Sequence, residues 1–286
     1  MENKIATYQN EEKYIRLLAA QRQLYKDAKN INLVFFMTAF FPIVLATISS
    51  FVQQYNVLDI TIRSIAVLVT FAGFGLDRII RTLKKDAAQI QLKFDVGVYS
   101  MSWNKKIFGN NNDIAPIVAK KSKSIMSSSK KEKLYNWYAK IDASLPINDA
   151  ILLCQKASIS WDNELRKRYK WACVLLGTLL VILVFSIGIV LDLNVRTLMW
   201  WLLYIAPIAV YCCKSANAVT FDIVRLNILK ENVFDGTTKT LLDLQKIQAK
   251  ITEHRSKAAL IPDWFYFFFR AKDEDTMKSM AKISTE

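Results

Sequence analysis

Histidine is almost missing from this chain: His254 is the only one among 286 residues. Any mechanism that needs two histidines is excluded. A serine–histidine–aspartate arrangement would rest on one residue in a charged helical stretch, and we read His254 as a surface residue. Cysteine is scarce too. Cys154, Cys173, Cys212 and Cys213 form no C-x-x-C pair, and the last two are adjacent, which argues against a zinc site or a disulfide framework. No glycine-rich phosphate loop is present. "FAGFGLD", residues 71–77, has two glycines but lacks the Lys–Ser/Thr that such a loop needs. The first 30 residues are polar, with Glu2, Glu11, Glu12 and Asp27 among the bases, so no secretory signal peptide is expected there. "DNELRKR", residues 162–168, reads as a charged helix face, with Asp162 and Glu164 on different sides. No catalytic constellation remains. The expectation is a protein that is not an enzyme and takes no metal and no cofactor.

Apolar residues make up 52% of the chain, yet the formal net charge is +14. In a soluble protein such charge points to nucleic acid; in a membrane protein it marks cytoplasmic loops. Its distribution decides between them. Residues 31–51 and 171–191 are each 21 residues without a charge. A helix needs about 20 apolar residues to cross the hydrocarbon core. Residues 197–213 are a third uncharged run, with Trp200, Trp201 and Tyr211 toward its ends as in an aromatic belt. Residues 57–80 make a fourth span if Asp59, Arg63 and Asp77 lie near its ends.

Lys and Arg outnumber Asp and Glu by 19 to 8 in residues 78–170, by 6 to 4 in the first 30, and by 12 to 10 from residue 214 on. The bias of basic residues toward the cytoplasm then places both termini and the middle segment inside. The expected fold is an all-α integral membrane protein: four transmembrane helices as two hairpins, plus a cytoplasmic helical bundle. Its divisions are a cytoplasmic N-terminal helix (1–30), hairpin one (31–80), a cytoplasmic helical region (81–170), hairpin two (171–213) and a cytoplasmic C-terminal helical region (214–286). The positive charge is accounted for without nucleic acid, and the expected partners are the lipid bilayer and further copies of the chain in a homo-oligomer.

Within 120–133, "KKSKSIMSSSKKEK" reads as a mobile basic loop that can meet anionic headgroups. Residues 146–170 should run as helix into the span at 171. Val219, Ile223, Leu226, Leu229 and Val233, then Leu241, Leu244, Ile247 and Ile251, have helical spacing with a break near Gly236. "IPDWFYFFFR", residues 261–270, is too short to span; it lies at the interface or plugs a groove.

Span 57–80 carries a polar stripe. Arg63, Thr70, Gly73 and Asp77 fall on one face with Ala66. Two readings compete. Such a face can line a water-filled path, because ionisable groups at membrane depth face a cavity or a partner. Alternatively, its small residues let another helix approach closely, while Asp77 pairs with Arg78 or Arg81 at the surface. Pro42 and Pro207 permit kinks in two other spans.

Three blocks carry a family likeness. They are "FDVGVYSMSWN" (Phe94, Asp95, Trp103, Asn104), "CQKASISWDNELRKRY" (Cys154, Gln155, Trp161, Asp162, Leu165, Arg166, Arg168, Tyr169) and "PDW" (Pro262, Asp263, Trp264). In that order, over residues 13–277, the chain resembles the SMODS- and SLOG-associated four-transmembrane pore-forming effectors. A Gly-Leu-Pro pattern is commoner where Met101 and Ser102 stand, which alters a local turn. The resemblance implies a bacterial anti-phage effector that works beside a cyclic-oligonucleotide synthase and opens an ion-permeable pore in the inner membrane. A cyclic-nucleotide system or a nucleotide ligand is then an expected partner. It makes Asp95, Trp103, Asn104, Trp161, Asp162, Arg166, Arg168, Asp263 and Trp264 candidates for a regulatory part. Trp103 and Trp161 suit packing better than stacking on a ligand, and Arg166 and Arg168 suit anchoring beside the span at 171. The alternative function is a membrane-anchored, non-conducting scaffold that recruits a partner. A small-solute transporter is a weaker third reading, since no repeat is visible.

Overall fold

The computed structural model describes residues 3–51, 56–111, 113–138, 141–266 and 268; within the helices, the side chains at 35–36, 38–51, 56–74, 197, 200–201, 203–204 and 207 lie outside that description. The described residues are helical, with no strand among them. In chain order the α-helices are α1 (Ile5–Tyr8), α2 (Glu12–Phe51), α3 (Asn56–Val98), α4 (Lys105–Phe108), α5 (Ala115–Met126), α6 (Ile147–Val190), α7 (Val195–Val233) and α8 (Leu241–Lys257). A 3-10 helix, Ser129–Leu134, lies between α5 and α6.

Two antiparallel pairs dominate, α2 with α3 and α6 with α7. Each closes on small residues. A Cβ at Gly97 of α3 would meet the Tyr14 ring of α2 at 2.5 Å, and one at Gly188 of α6 would meet Leu198 of α7 at 2.8 Å. The C-terminal ends of α3 and α6 are each followed by a residue in the left-handed region. Ser100 has φ 55° and Asp192 has φ 49°. In each case the next amide reaches back five residues, Met101 N to Val96 O at 2.9 Å and Leu193 N to Gly188 O at 2.9 Å. That pattern satisfies the last carbonyls of a helix.

Helix α6 changes its surroundings half-way. Ala150, Ile151, Cys154, Gln155, Ile159, Asn163, Arg166 and Tyr169 form a buried face at steps of three and four. From Trp171 onward most of its large apolar side chains are exposed, Leu175, Leu179, Ile182, Phe185 and Val190 among them. It is the one helix among the described residues that is long and apolar enough to cross a membrane.

The stretch 120–133 is not a mobile loop. Pro116 stands in the first turn of α5, and Ile125 and Ser122 are buried. Ile117 and Val118 pack on Ala20, Leu24, Ala87 and Ile90 of α2 and α3, so the apolar side of α5 orders a segment whose lysines face out. The break at Gly236 (φ 74°) separates α7 from α8, at the place the periodicity indicated. Thr240 and Asp243 then start α8 with a reciprocal capping box. The main core joins Ile15 and Leu18 of α2, Phe94 of α3, Tyr99 just after it, Leu134, Tyr138, Ile151 and Leu244.

Candidate functional site

Helix α8 has an apolar side, Leu244, Ile247 and Ile251, that any amphipathic helix would bury. It also buries Gln245, Gln248, Thr252 and His254. Buried polar groups are expensive unless paired. Their partners come from the extensions of the long helices, and they gather into two clusters.

The first cluster is centred on Asp95 of α3, which is fully buried. Its carboxylate accepts from Gln248 Nε2 at 2.6 Å and from the Arg255 guanidinium at 2.6 Å, both on α8. The Tyr138 hydroxyl donates to it as well. Arg255 also donates to Ser158 Oγ of α6 at 2.9 Å. Gln155 of α6 donates to Gln248 Oε1 and to the Leu244 carbonyl, both at 3.0 Å. Burial pushes the Asp95 carboxyl up, and the charge of Arg255 with the bonds from Tyr138, Arg255 and Gln248 opposes that. Burial likewise works against the Arg255 charge, but Asp95 outweighs it and holds the guanidinium above its ordinary value. Burial prevails at Asp95, whose carboxyl stays above its ordinary value even with the guanidinium at 2.6 Å.

The second cluster lies one turn closer to the apolar run. Asp162 of α6 faces His254 Nε2 of α8 at 2.8 Å. It also pairs with Arg166 Nε at 3.0 Å, an ion-pair distance without the alignment of a hydrogen bond. Arg166 bonds Asp222 of α7 at 2.6 Å and the Ala259 carbonyl at 3.1 Å. Asp222 accepts in addition from the Ala259 amide at 2.7 Å and from Arg225. Burial opposes ionisation of Asp162, yet Arg166 and His254 prevail and hold its carboxyl well below the usual range. A cation at the end of α8 completes the frame: Lys84 of α3 donates to the Lys257 carbonyl at 3.1 Å.

After α8 the chain crosses the α6/α7 pair. Ile261 and Phe265 are buried among Leu165, Tyr169, Cys173, Cys212, Ala216 and Val219. The Phe265 ring stands edge-on to Tyr169, centroids 5.1 Å apart. Residues 261–266 therefore fill a groove between helices through these side chains, while Trp264 is 70% exposed.

The residues singled out in the sequence fall into three groups. Asp95, Asp162 and Arg166 meet in the clusters. Asn104, Trp103, Trp161 and Asp263 act in packing and pairing around them. Asn104 caps α4 and donates to Gln245 Oε1 at 3.1 Å. Trp103 donates to the Gly109 carbonyl at 3.0 Å and packs on Phe108. Trp161 stands edge-on to Tyr266, and Asp263 pairs with Lys29 at 2.5 Å. Arg168 is half-buried, and Trp264 packs edge-on against Phe265. Asp77 pairs with Arg81 at 3.3 Å, both exposed. The side chains of Arg63, Thr70 and Gly73 lie outside the described residues.

Two expectations are corrected. His254 is not a surface residue; it is 3% exposed because Asp162 gives its ring a partner inside. Arg166 is no membrane anchor; it is buried between two aspartates on different helices, and "DNELRKR" is a charged outer face only at Glu164 and Lys167. Sequence reasoning also missed Gln248, Arg255 and Asp222. The available signal was Gln248 and Arg255 continuing the buried Leu244–Ile251 register. Among the described residues, no group of three or more His, Cys, Asp or Glu side chains is placed to hold a metal ion.

This arrangement links the long helices to one another. Asp95 belongs to α3, Arg166 to α6 and Asp222 to α7, and α8 with the segment after it ties all three together. A family model described as the SMODS-associating 4TM effector domain matches residues 3–283. The chain is also similar to a "Probable CBASS effector molecule" of Bacillus cereus (strain VD146), 23% identical over 285 residues and covering 94% of each chain. No solved structure matches it.

Proposed function

The chain belongs to the SMODS-associating 4TM effector domain family, and from that premise we propose that it is a bacterial anti-phage effector that opens an ion-permeable pore in the inner membrane. Four spans lie in α2, α3, α6 and α7 as two hairpins, with both termini in the cytoplasm. The active form is a homo-oligomer. A cyclic-nucleotide signal triggers it, in keeping with the relative named as a CBASS effector. The chain carries out no chemical reaction of its own.

One observation carries this reading. Helices α3, α6 and α7 each continue from an apolar run into buried ionic contacts, those of α3 and α6 with α8 and that of α7 with α6 and the segment after α8. Such contacts hold a defined arrangement, because a charge left alone inside costs several kcal/mol. A signal that favours a second arrangement of α8 would move the hairpins relative to one another. Span 57–80 is the proposed lining, with Arg63, Thr70, Gly73 and Asp77 on its wall.

The test is membrane potential and viability in bacteria on inducible expression, with the signalling system present and absent. The comparison is Asp77→Asn at matched abundance. Rapid depolarisation that the variant abolishes supports the pore and its lining. Depolarisation unchanged by the variant keeps the pore and removes the lining. No depolarisation with the system present favours the non-conducting scaffold.

A further inference from the structure

The start of α2, the end of α5 and the 3-10 helix Ser129–Leu134 border an open surface groove of about 590 Å³. That volume is in the range of small-molecule sites. Arg16, Lys123 and Lys131 line it, with Ser122 and Met126 at its side. Glu12 is the single acid on the wall, and it already holds Arg16, at 2.7 Å from Nη2 and 3.2 Å from Nε. A carboxylate thus sits where an external anion would sit, on a guanidinium whose fork suits a phosphate equally well.

Position decides which anion can arrive. Arg16 precedes the uncharged run at residue 31 by 15 residues. Along one continuous helix that is about 22 Å. The distance exceeds the Debye length of roughly 8 Å at physiological salt, so a headgroup layer acts on this groove only weakly. Nearer the membrane, Lys121 is taken by Asp27 at 2.6 Å. The groove faces the cytoplasm, not the bilayer surface.

We propose that this groove binds a small soluble polyanion with two or more phosphates, of the cyclic-oligonucleotide class, with Arg16, Lys123 and Lys131 as its phosphate contacts and Glu12 as the internal anion it displaces. The inference rests on the reading that a nucleotide signal triggers the effector, and it adds the place. Occupancy would draw the end of α5 and the 3-10 helix onto α2, the helix that carries the first span.

The experiment is equilibrium binding of radiolabelled cyclic dinucleotides and a cyclic trinucleotide to the full chain in neutral-lipid nanodiscs. Arg16→Glu with Lys123→Glu should weaken binding by about tenfold or more, the loss expected for contacts to charged groups. Glu12→Gln should tighten it, a sign that a purely structural role would not produce. Lys105→Glu with Lys106→Glu, on the exposed α4, should leave it unchanged. Melting curves check that the groove variants, whose changed residues are exposed, stay folded. Equal affinity in the groove variants overturns the proposal, as does absence of binding by every probe. Loss of binding only when anionic lipid replaces neutral lipid also overturns it, since headgroups would then hold the groove. Depolarisation by the signalling system with unchanged groove binding would leave the pore reading standing and remove only this site.

Discussion

His254 of α8 lies 2.8 Å from Asp162 of α6, and its other ring nitrogen is buried without a hydrogen-bond partner. One histidine thereby closes the contact between the C-terminal helix and the helix that runs into residues 171–191. Next to it, Arg166 spans from Asp162 to Asp222 and so from α6 to α7.

Removing one end of that chain should cost more than removing both. Asp222 is 1% exposed, and Asp222→Ala leaves Arg166 buried beside a single aspartate. Loss of one partner from a buried pair costs roughly 3–5 kcal/mol, whereas an apolar replacement of the whole pair is near neutral. Asp222→Leu with Arg166→Met should therefore recover much of the stability lost in Asp222→Ala. Thermal unfolding of the wild type and the two variants in one detergent measures it; a double variant as unstable as the single one would count against the account.

The Asp162 carboxyl is held below its unfolded value, so the sign of its pH effect is defined. The native state favours the ionised form. That stability is fully present above the unfolded value of about 4 and is lost as the pH falls through the lower folded value. Wild type and Asp162→Asn should differ most near neutral pH, and the gap should close below about pH 4. Melting midpoints between pH 7 and pH 3 test this; a gap that widens in acid would reverse the sign.

Helix periodicity made most of the architecture legible. The 3-4 spacing of Leu226, Leu229 and Val233, and of Leu244, Ile247 and Ile251, located α7 and α8, and Gly236 marked the break between them. Asp95, Asp162 and Arg166 stood in the family-like blocks. Their partners did not, because a buried ion pair looks like two surface charges until the fold brings them together. His254 and Asp162 are 92 residues apart, and Arg255 and Asp95 are 160 apart. The α5 segment was hidden for the opposite reason: its many lysines and serines mask a narrow buried edge made by Ile117, Ser122 and Ile125.

Two glycines should respond differently to alanine. At Gly97 the new methyl would strike the Tyr14 ring at 2.5 Å, and that ring stands edge-on to the buried Phe94. At Gly188 it meets Leu198 Cδ1 at 2.8 Å, the tip of a flexible side chain that can turn aside. Overpacking of the first kind costs about 1–3 kcal/mol. Gly97→Ala should lower the melting midpoint clearly, and Tyr14→Leu should restore part of it. Gly188→Ala should change little. Equal effects at the two sites would mean that the α2/α3 approach is no tighter than the hairpin tip.

The outer face of α7 gives the sharpest test of assembly. Phe221 is 71% exposed, Val224 and Ile228 are exposed beside it, and all three lie on the side of α7 opposite Val219, Leu226 and Leu229. Lipid does not explain the far end of this stripe. Ile228 follows the last uncharged residue, Cys213, by 15 positions, which is about 22 Å along the helix. That is well past a headgroup layer, so in water this apolar stripe is stable only under protein. In the homo-oligomer proposed here it packs on a neighbouring copy. Phe221→Lys with Ile228→Lys should then reduce the oligomer's mass in detergent, as read by light scattering, and weaken the melting midpoint's dependence on protein concentration. The same pair should leave the monomer's helix content unchanged, because neither side chain touches the core. An oligomer of unaltered mass would place the subunit contact on another helix.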